Sequence, residues 1–428
     1  MKHNVRLEVP RIKAGEPCKI GLLVEVSAPE LPVTEVVRNP QAIIFVVDRS
    51  GSMGDGRLDL VKNTISEIVG RLSDRDYLSI VSFDTEVEVH VPMAKVGELN
   101  PTQIRRDLVP LQPRGGTNVE LGFIEGLKQV SLAPEGIESR VILLSDGHAN
   151  SGQTHPEAFG RLAANATEHL VRTSTIGIGD GYDEKILASL ADSGQGNHFA
   201  AVELDEAVTG LQDEIEGLMQ RSLSNLRVKV TVPNAIKGLK INPVGFTRAV
   251  EKLETGVEVR FGDQVSGETR GYGFLIDLPS LRHEQGKELK FTVEVSGTEI
   301  ESGKNQLKQE QLVLEIAERE GFIAPAKDED VSAEIAAYRL TEIKQAAAEA
   351  AWSGNHELAK HIIRGAQRDI EYIIKHVDRL SPRLRARILA EQQELKELLE
   401  FKPVEFSKRA YESSLRTARS KRDPRKGH

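Results

Sequence analysis

The stretch Phe45-Val46-Val47-Asp48-Arg49-Ser50-Gly51-Ser52-Met53 decides how this chain is read. An apolar run that starts at Ala42 ends there in a carboxylate, followed by two hydroxyls on alternate residues. Uninterrupted apolar runs of this length fit strands of a parallel sheet covered on both faces, where neither side of the strand meets water. Further strand candidates follow at 77–83, 87–91, 140–144 and 173–178, separated by helical patterns at 57–72, 101–111, 119–132, 155–171, 183–192 and 204–221. Asn100-Pro101 and Asp183 read as helix starts, because a capping oxygen or a first-turn proline accommodates amides that the helix leaves unpaired. Strands alternating with helices predict a doubly wound, mainly parallel α/β domain over residues 39–222.

Working outward, the apolar period changes to two on both flanks. Residues 4–9 and 19–26 alternate before the α/β segment, and 226–232, 257–261, 272–278, 289–295 and 307–316 alternate after it. Two strands alone are not stable in water. Residues 1–38 and 223–321 are therefore expected to form one discontinuous antiparallel β-sandwich, with the α/β domain inserted into it. Residues 328–400 are alanine-rich and helical, in stretches 331–352, 356–378 and 382–399 whose short breaks favour a small antiparallel bundle. Residues 401–428 are basic and rich in Ser and Arg, and are expected to be a disordered tail, with a docking arm or kinase substrate as the sharper alternative.

The motif at 48–52 stands at the carboxyl edge of its strand, where open α/β sheets bind ligands. A carboxylate and two hydroxyls on one turn can converge as hard oxygen ligands, which suits Mg²⁺. Two other segments add to it. Arg114-Gly115-Gly116-Thr117-Asn118 opens a helix and offers the Thr117 hydroxyl, and the run 141–144 ends in Ser145-Asp146-Gly147, offering a second carboxylate.

In this order and context the three segments resemble the von Willebrand factor type A domain with its metal-ion-dependent adhesion site. The resemblance covers about residues 40 to 222 and extends to Ile176-Gly177-Ile178-Gly179 and Asp183-Glu184-Lys185-Ile186-Leu187, which look like the family's fifth strand and next helix. It implies that Ser50, Ser52 and Thr117 ligate Mg²⁺ or Mn²⁺, while Asp48 and Asp146 act mainly through water or hydrogen bonds. An ion so held is under-neutralised and takes one more anionic oxygen, a partner's Asp or Glu. Insertion of such a unit in a sandwich, followed by helices, resembles multidomain bacterial members of the family.

Weaker signals are set aside on their chemistry. Asp55 and Asp59 are expected to favour a helix start rather than hold a second cation. His148 reads as a loop histidine, since no carboxylate or serine pattern makes it a catalytic base. Gly177 to Gly181 lacks the third glycine of a dinucleotide loop, and no P-loop is present. A haloacid-type phosphatase needs a second aspartate where Ser50 stands.

Composition limits the remaining classes. The 428 residues carry 56 basic and 65 acidic side chains for a net charge of −9, and only 4% are aromatic, which speaks against nucleic-acid binding. One cysteine, Cys18, rules out an internal disulfide and a multi-cysteine metal site. No apolar stretch reaches the roughly 18 residues of a membrane span, and the start has no apolar secretory core. The expectation is a non-enzymatic, cytoplasmic protein-interaction module or scaffold, with an ATPase or a kinase and phosphatase pair as partner by family analogy alone. The alternatives are a metal-dependent hydrolase and a transport- or channel-associated subunit.

Overall fold

The computed structural model describes residues 1–31, 39–179, 181–201, 204–245, 250–281, 287–376 and 382–419. The expected strand and linker residues 32–38, the helix end at 377–378 and the tail at 420–428 lie outside the described residues. The chain divides into two units, residues 37–219 and residues 1–36 together with 220–428.

Three strands open the chain: β1 (Lys2–Leu7), β2 (Arg11–Lys13) and β3 (Cys18–Ser27). The α/β unit follows, with β4 (Ala42–Asp48), α1 (Arg57–Val69), β5 (Tyr77–Phe83), β6 (Val87–Lys95), α2 (Pro101–Leu108), α3 (Val119–Val130) and β7 (Ser139–Ser145). It continues through α4 (Pro156–Thr167), β8 (Val171–Ile178), α5 (Glu184–Ser193), β9 (Gln195–Ala201) and α6 (Leu204–Met219). Its sheet has the order β6-β5-β4-β7-β8-β9, in which β6 alone runs antiparallel.

Every residue of β4, β7 and β8 is buried, which is why β4 and the middle of β7 read as continuous apolar runs and not alternating ones, whereas β8 buries Arg172, Thr173, Ser174 and Thr175 before its apolar end. Leu58, Val61 and Ile65 of α1 and Leu211 and Ile215 of α6 cover Phe45, Ile142 and Ile176 on one face. Phe123, Phe159 and Ile186, from α3, α4 and α5, cover Ile44, Val46 and Val141 on the other. Each such side chain contributes about 1.5–3 kcal/mol on leaving water. Strand β9 departs from expectation. Its polar start, Gln195-Gly196-Asn197-His198, hides a strand that pairs with β8 and places His198 Nδ1 2.8 Å from Thr175 Oγ1.

The helix expected to reach residue 221 stops at Met219, because Arg221 already enters a strand and pairs with Asp263. That strand is β10 (Arg221–Thr231), followed by β11 (Lys240–Val244), β12 (Val250–Leu253), β13 (Gly256–Val265), β14 (Thr269–Leu278), β15 (Glu288–Glu299) and β16 (Asn305–Ala317). Two sheets result, β1-β3-β14-β11 and β12-β13-β10-β15-β16-β2. The N-terminal strands are divided between them, β3 lying antiparallel between β1 and β14 while β2 runs parallel to β16. Leu22, Val24 and Val26 of β3 meet Val228 and Val230 of β10 and Phe291, Val293 and Val295 of β15 in one core.

Four helices end the described chain: α7 (Glu329–Trp352), α8 (His356–His376), α9 (Pro382–Glu400) and α10 (Pro403–Arg419). Asp328 caps α7 by accepting from the amide of Val331 at 3.0 Å. The helix lays Val331, Ile335 and Tyr338 against Leu23 and Val244 of the first sheet. Gly273 of β14 makes room, since a Cβ there would stand 2.8 Å from Ile335. Inside the bundle the buried Lys344 ammonium meets Glu391 at 2.6 Å and Glu394 at 2.9 Å, fixing α7 against α9.

Helix α10 overturns the expectation of a disordered tail from residue 401. Phe406, Ala410 and Tyr411 are buried, the small Ser407, Ser413 and Ser414 are buried with them, and the Tyr411 ring lies 5.3 Å from that of Trp352. A basic composition concealed one buried helical face. No helix among the described residues is long and apolar enough to cross a membrane.

Candidate metal centre

Asp48 ends β4, and Asp146 directly follows β7. The two strands are neighbours, but β4 has β5 on its other side and β7 has β8, so the winding reverses between them. The crevice at such a reversal is where open α/β sheets receive ligands.

The Asp48 side chain starts the loop. Its Oδ1 accepts from the Ser50 amide at 2.7 Å and its Oδ2 from the Ser145 hydroxyl at 2.5 Å, so the carboxylate is fixed at both ends. The chain then turns through a short 3₁₀ segment, Gly51–Met53, anchored by the fully buried Met53. This turn brings Ser50 Oγ and Ser52 Oγ within 3.1 Å of each other, and Ser52 Oγ donates to Asp146 Oδ1 at 2.7 Å.

Thr117 arrives from the loop before α3. The Arg114 amide donates to the Arg49 carbonyl at 2.8 Å and the Gly51 amide to the Gly115 carbonyl at 3.3 Å, tying this loop to the first. Asn118 caps α3, and the Thr117 amide donates to Asn150 Oδ1 at 2.9 Å. Behind both loops Asp84 accepts from Arg49 Nε at 2.9 Å and from Arg114 Nε at 2.7 Å. Burial alone pushes the Asp84 carboxyl up, but the Arg114 guanidinium, the Glu86 amide and Arg49 outweigh it and hold it below the usual carboxylate range.

Gly147 shows where the three hydroxyls converge. A Cβ on it would lie 2.7 Å from Thr117 Oγ1, 3.3 Å from Ser52 Oγ and 3.4 Å from Ser50 Oγ. All five residues singled out from the sequence, Asp48, Ser50, Ser52, Thr117 and Asp146, thus border one crevice. Burial pushes the Asp48 carboxyl up to about 6, the charge of Asp146 adding to the shift and bonds from Ser145 and Ser50 opposing it. The protein's own groups leave that carboxylate under-compensated, and a cation would relieve it. The hydroxyl donors are hard oxygens, the chemistry that Mg²⁺ and Mn²⁺ prefer. Among the described residues no group of three His, Cys, Asp or Glu side chains offers a different kind of metal site.

The weaker candidates are otherwise placed. Asp59 pairs with Lys62 at 2.7 Å, and Asp55 sits in the turn before α1 with φ +52°. His148 is 71% exposed, 4.0 Å from Asp183. Sequence reasoning quoted Ser145 and Gly147 beside Asp146 without giving them a role, and missed the Asp84 clasp and Arg57, whose Nη1 donates to Asp146 Oδ2 at 2.8 Å. Gly147 directly after the site carboxylate was the available signal. The others act across 30 or more positions and leave no local pattern.

Comparison with known proteins agrees with this fold. The family model described as the von Willebrand factor type A domain matches residues 42–214. An uncharacterized protein of Synechocystis is 25% identical over 317 residues, covering 72% of this chain and 74% of its own length. The rat inter-alpha-trypsin inhibitor heavy chain H3 is 27% identical over 287 residues, 65% of this chain, but the match spans only 32% of that larger protein. Among solved structures, a von Willebrand factor type A protein from Catenulispora acidiphila superposes with a TM-score of 0.71 at 15% identity, covering 98% of this chain and 97% of its own. The ArnB paralog VWA2 of Sulfolobus acidocaldarius superposes at 0.65 with 18% identity, covering 98% of each chain. Residues 42–214, a doubly wound sheet whose reversal point carries the Asp48 loop, match the von Willebrand factor type A domain family.

Proposed function

We propose that this chain is a divalent-cation-dependent protein-interaction module. In this reading Ser50, Ser52 and Thr117 hold Mg²⁺ or Mn²⁺, and Asp48 and Asp146 act through water or hydrogen bonds. A bound ion supplies an open coordination position for an anionic oxygen, here a partner's Asp or Glu carboxylate. The observation that carries the reading is the convergence of three hydroxyls on the space before Gly147, with two carboxylates behind them. Neutral hydroxyls leave much of a dication's charge uncompensated, so an acidic partner gains from meeting it. The chain's own residues do the positioning: Ser145 and the Ser50 amide orient Asp48, Ser52 orients Asp146, and the Asp84 clasp holds the Thr117 loop.

The module is read as a scaffold without catalysis of its own. A hydrolase needs a titratable group to move a proton at the reacting atom. His148, the nearest candidate in sequence, is exposed beside Asp183. A cytoplasmic setting fits a chain of 428 residues with a single cysteine. An ATPase or a kinase and phosphatase pair remains the partner suggested by family analogy.

Capture from cell extract on the immobilised chain, with Mg²⁺ and then with chelator, tests the proposal. Specific capture is expected with Mg²⁺ and lost with chelator, weakened by Thr117→Ala and little changed by His148→Ala. Metal-dependent turnover of phosphoester or ester substrates, lost in both variants, would replace the binding module with an enzyme.

A further inference from the structure

Arg57, outside the five-residue pattern, brings a fixed positive charge to the same crevice. It is the first residue of α1, following Gly56 at φ +85°. Its Nη1 donates to Asp146 Oδ2 at 2.8 Å and to the Ser52 carbonyl at 2.9 Å. Asp146 is thereby held at both oxygens, since Ser52 Oγ donates to Oδ1 at 2.7 Å, and its side chain is fully buried.

The Arg57 side chain is 35% exposed and the rest of it packs against the protein. The backbone of Gly179, at φ +72°, passes beneath it, and a Cβ there would stand 3.5 Å from Nη2. With Leu60, Leu144 and Ile178, Arg57 lines a small apolar cleft. A side chain held by a carboxylate, a carbonyl and packing on its stem keeps its charge in place with little entropy left to lose.

We infer that Arg57 is a tethered counter-cation that competes with the divalent ion for Asp146 and keeps the metal affinity of the chain low until an acidic partner arrives. The inference rests on the metal-site reading above. Asp48 and Asp146 offer two negative charges, and Arg57 offsets one of them. Its charge-assisted bond makes Asp146 a poorer acceptor, and like charge opposes a dication placed one carboxylate away. A partner carboxylate adds the missing negative charge. Metal and partner then bind cooperatively, each raising the affinity for the other by the same factor.

The test is calorimetric titration of the full, chelator-stripped chain with Mn²⁺ or Mg²⁺ alone. Wild type, Arg57→Gln, Arg57→Lys and the double variant Ser50→Ala/Ser52→Ala are compared, each checked for a cooperative melt. Arg57→Gln is expected to bind at least tenfold more tightly than wild type, while Arg57→Lys, which keeps the charge, stays within a few fold of it. Wild-type binding that is unchanged or weakened in Arg57→Gln would overturn the counter-cation while leaving the metal site standing. Metal binding that survives intact in the double serine variant would instead overturn the site itself, and this inference with it.

Discussion

Gly147 leaves open the space that the hydroxyls of Ser50, Ser52 and Thr117 face, and any side chain there would fill it. Gly147→Ala is therefore expected to abolish Mg²⁺ or Mn²⁺ binding in calorimetry while the melt stays cooperative. Asp48 makes the complementary case, because burying a carboxylate costs more than burying an amide whose oxygen still accepts from the Ser50 amide while its NH2 donates to a rotated Ser145 hydroxyl. Asp48→Asn should raise the metal-free stability by about 1–3 kcal/mol and erase the rise in melting temperature that Mg²⁺ gives the wild type, both read from thermal melts. Hard oxygens on alternate residues after an apolar run are a local pattern, so Asp48, Ser50 and Ser52 were legible in the sequence, and Thr117 and Asp146 became so from their strand and helix contexts. Arg57 was not. It meets Asp146 across 89 positions, and only the folded sheet brings the start of α1 to the end of β7.

Loops that carry function must be held by something behind them, and between β5 and α3 that support is the buried Asp84 with Arg49 and Arg114. Asp84→Asn should cost about 1.5–3 kcal/mol, since it removes the charged acceptor that buried Arg49 and half-exposed Arg114 share and leaves them only Glu88 and Glu86. The sign of the pH dependence follows from the lowered folded pKa: the contribution is present above the ordinary value of 3.8 and is lost as the pH falls through the lower folded value. The stability gap between wild type and Asp84→Asn, followed by denaturant melts, should be widest near neutrality and close in acid below about pH 4. Helix α10 was illegible for a different reason. Its residues are basic and polar in bulk, and the buried face is made of Phe406, Ala410, Tyr411 and small serines, which composition does not register. Tyr411→Ala should remove the contact with Trp352 and cost about 3 kcal/mol, measurable by chemical denaturation. Strand β9 escaped for a related reason, because its first four residues are polar or glycine and its place comes from pairing with β8.

At the scale of the molecule, the change of apolar period from two to continuous runs and back marked the inserted α/β segment, because the two sheet types expose their faces differently to water. Which sheet each N-terminal strand joins was not legible: β1 pairs with nearby β3, but β3 and β2 enter different sheets, a choice made by pairing partners more than 200 residues away. The α/β unit brings together loops that sequence keeps apart, and the reversal of winding between β4 and β7 opens the crevice they line. The central claim is that this crevice holds a divalent ion on serine and threonine hydroxyls. Electron paramagnetic resonance of Mn²⁺ added to the chelator-stripped full chain measures that directly. The account predicts uptake of a single ion per chain by the wild type and none by Ser50→Ala/Ser52→Ala, with both proteins melting cooperatively; equal Mn²⁺ uptake by the two would contradict it.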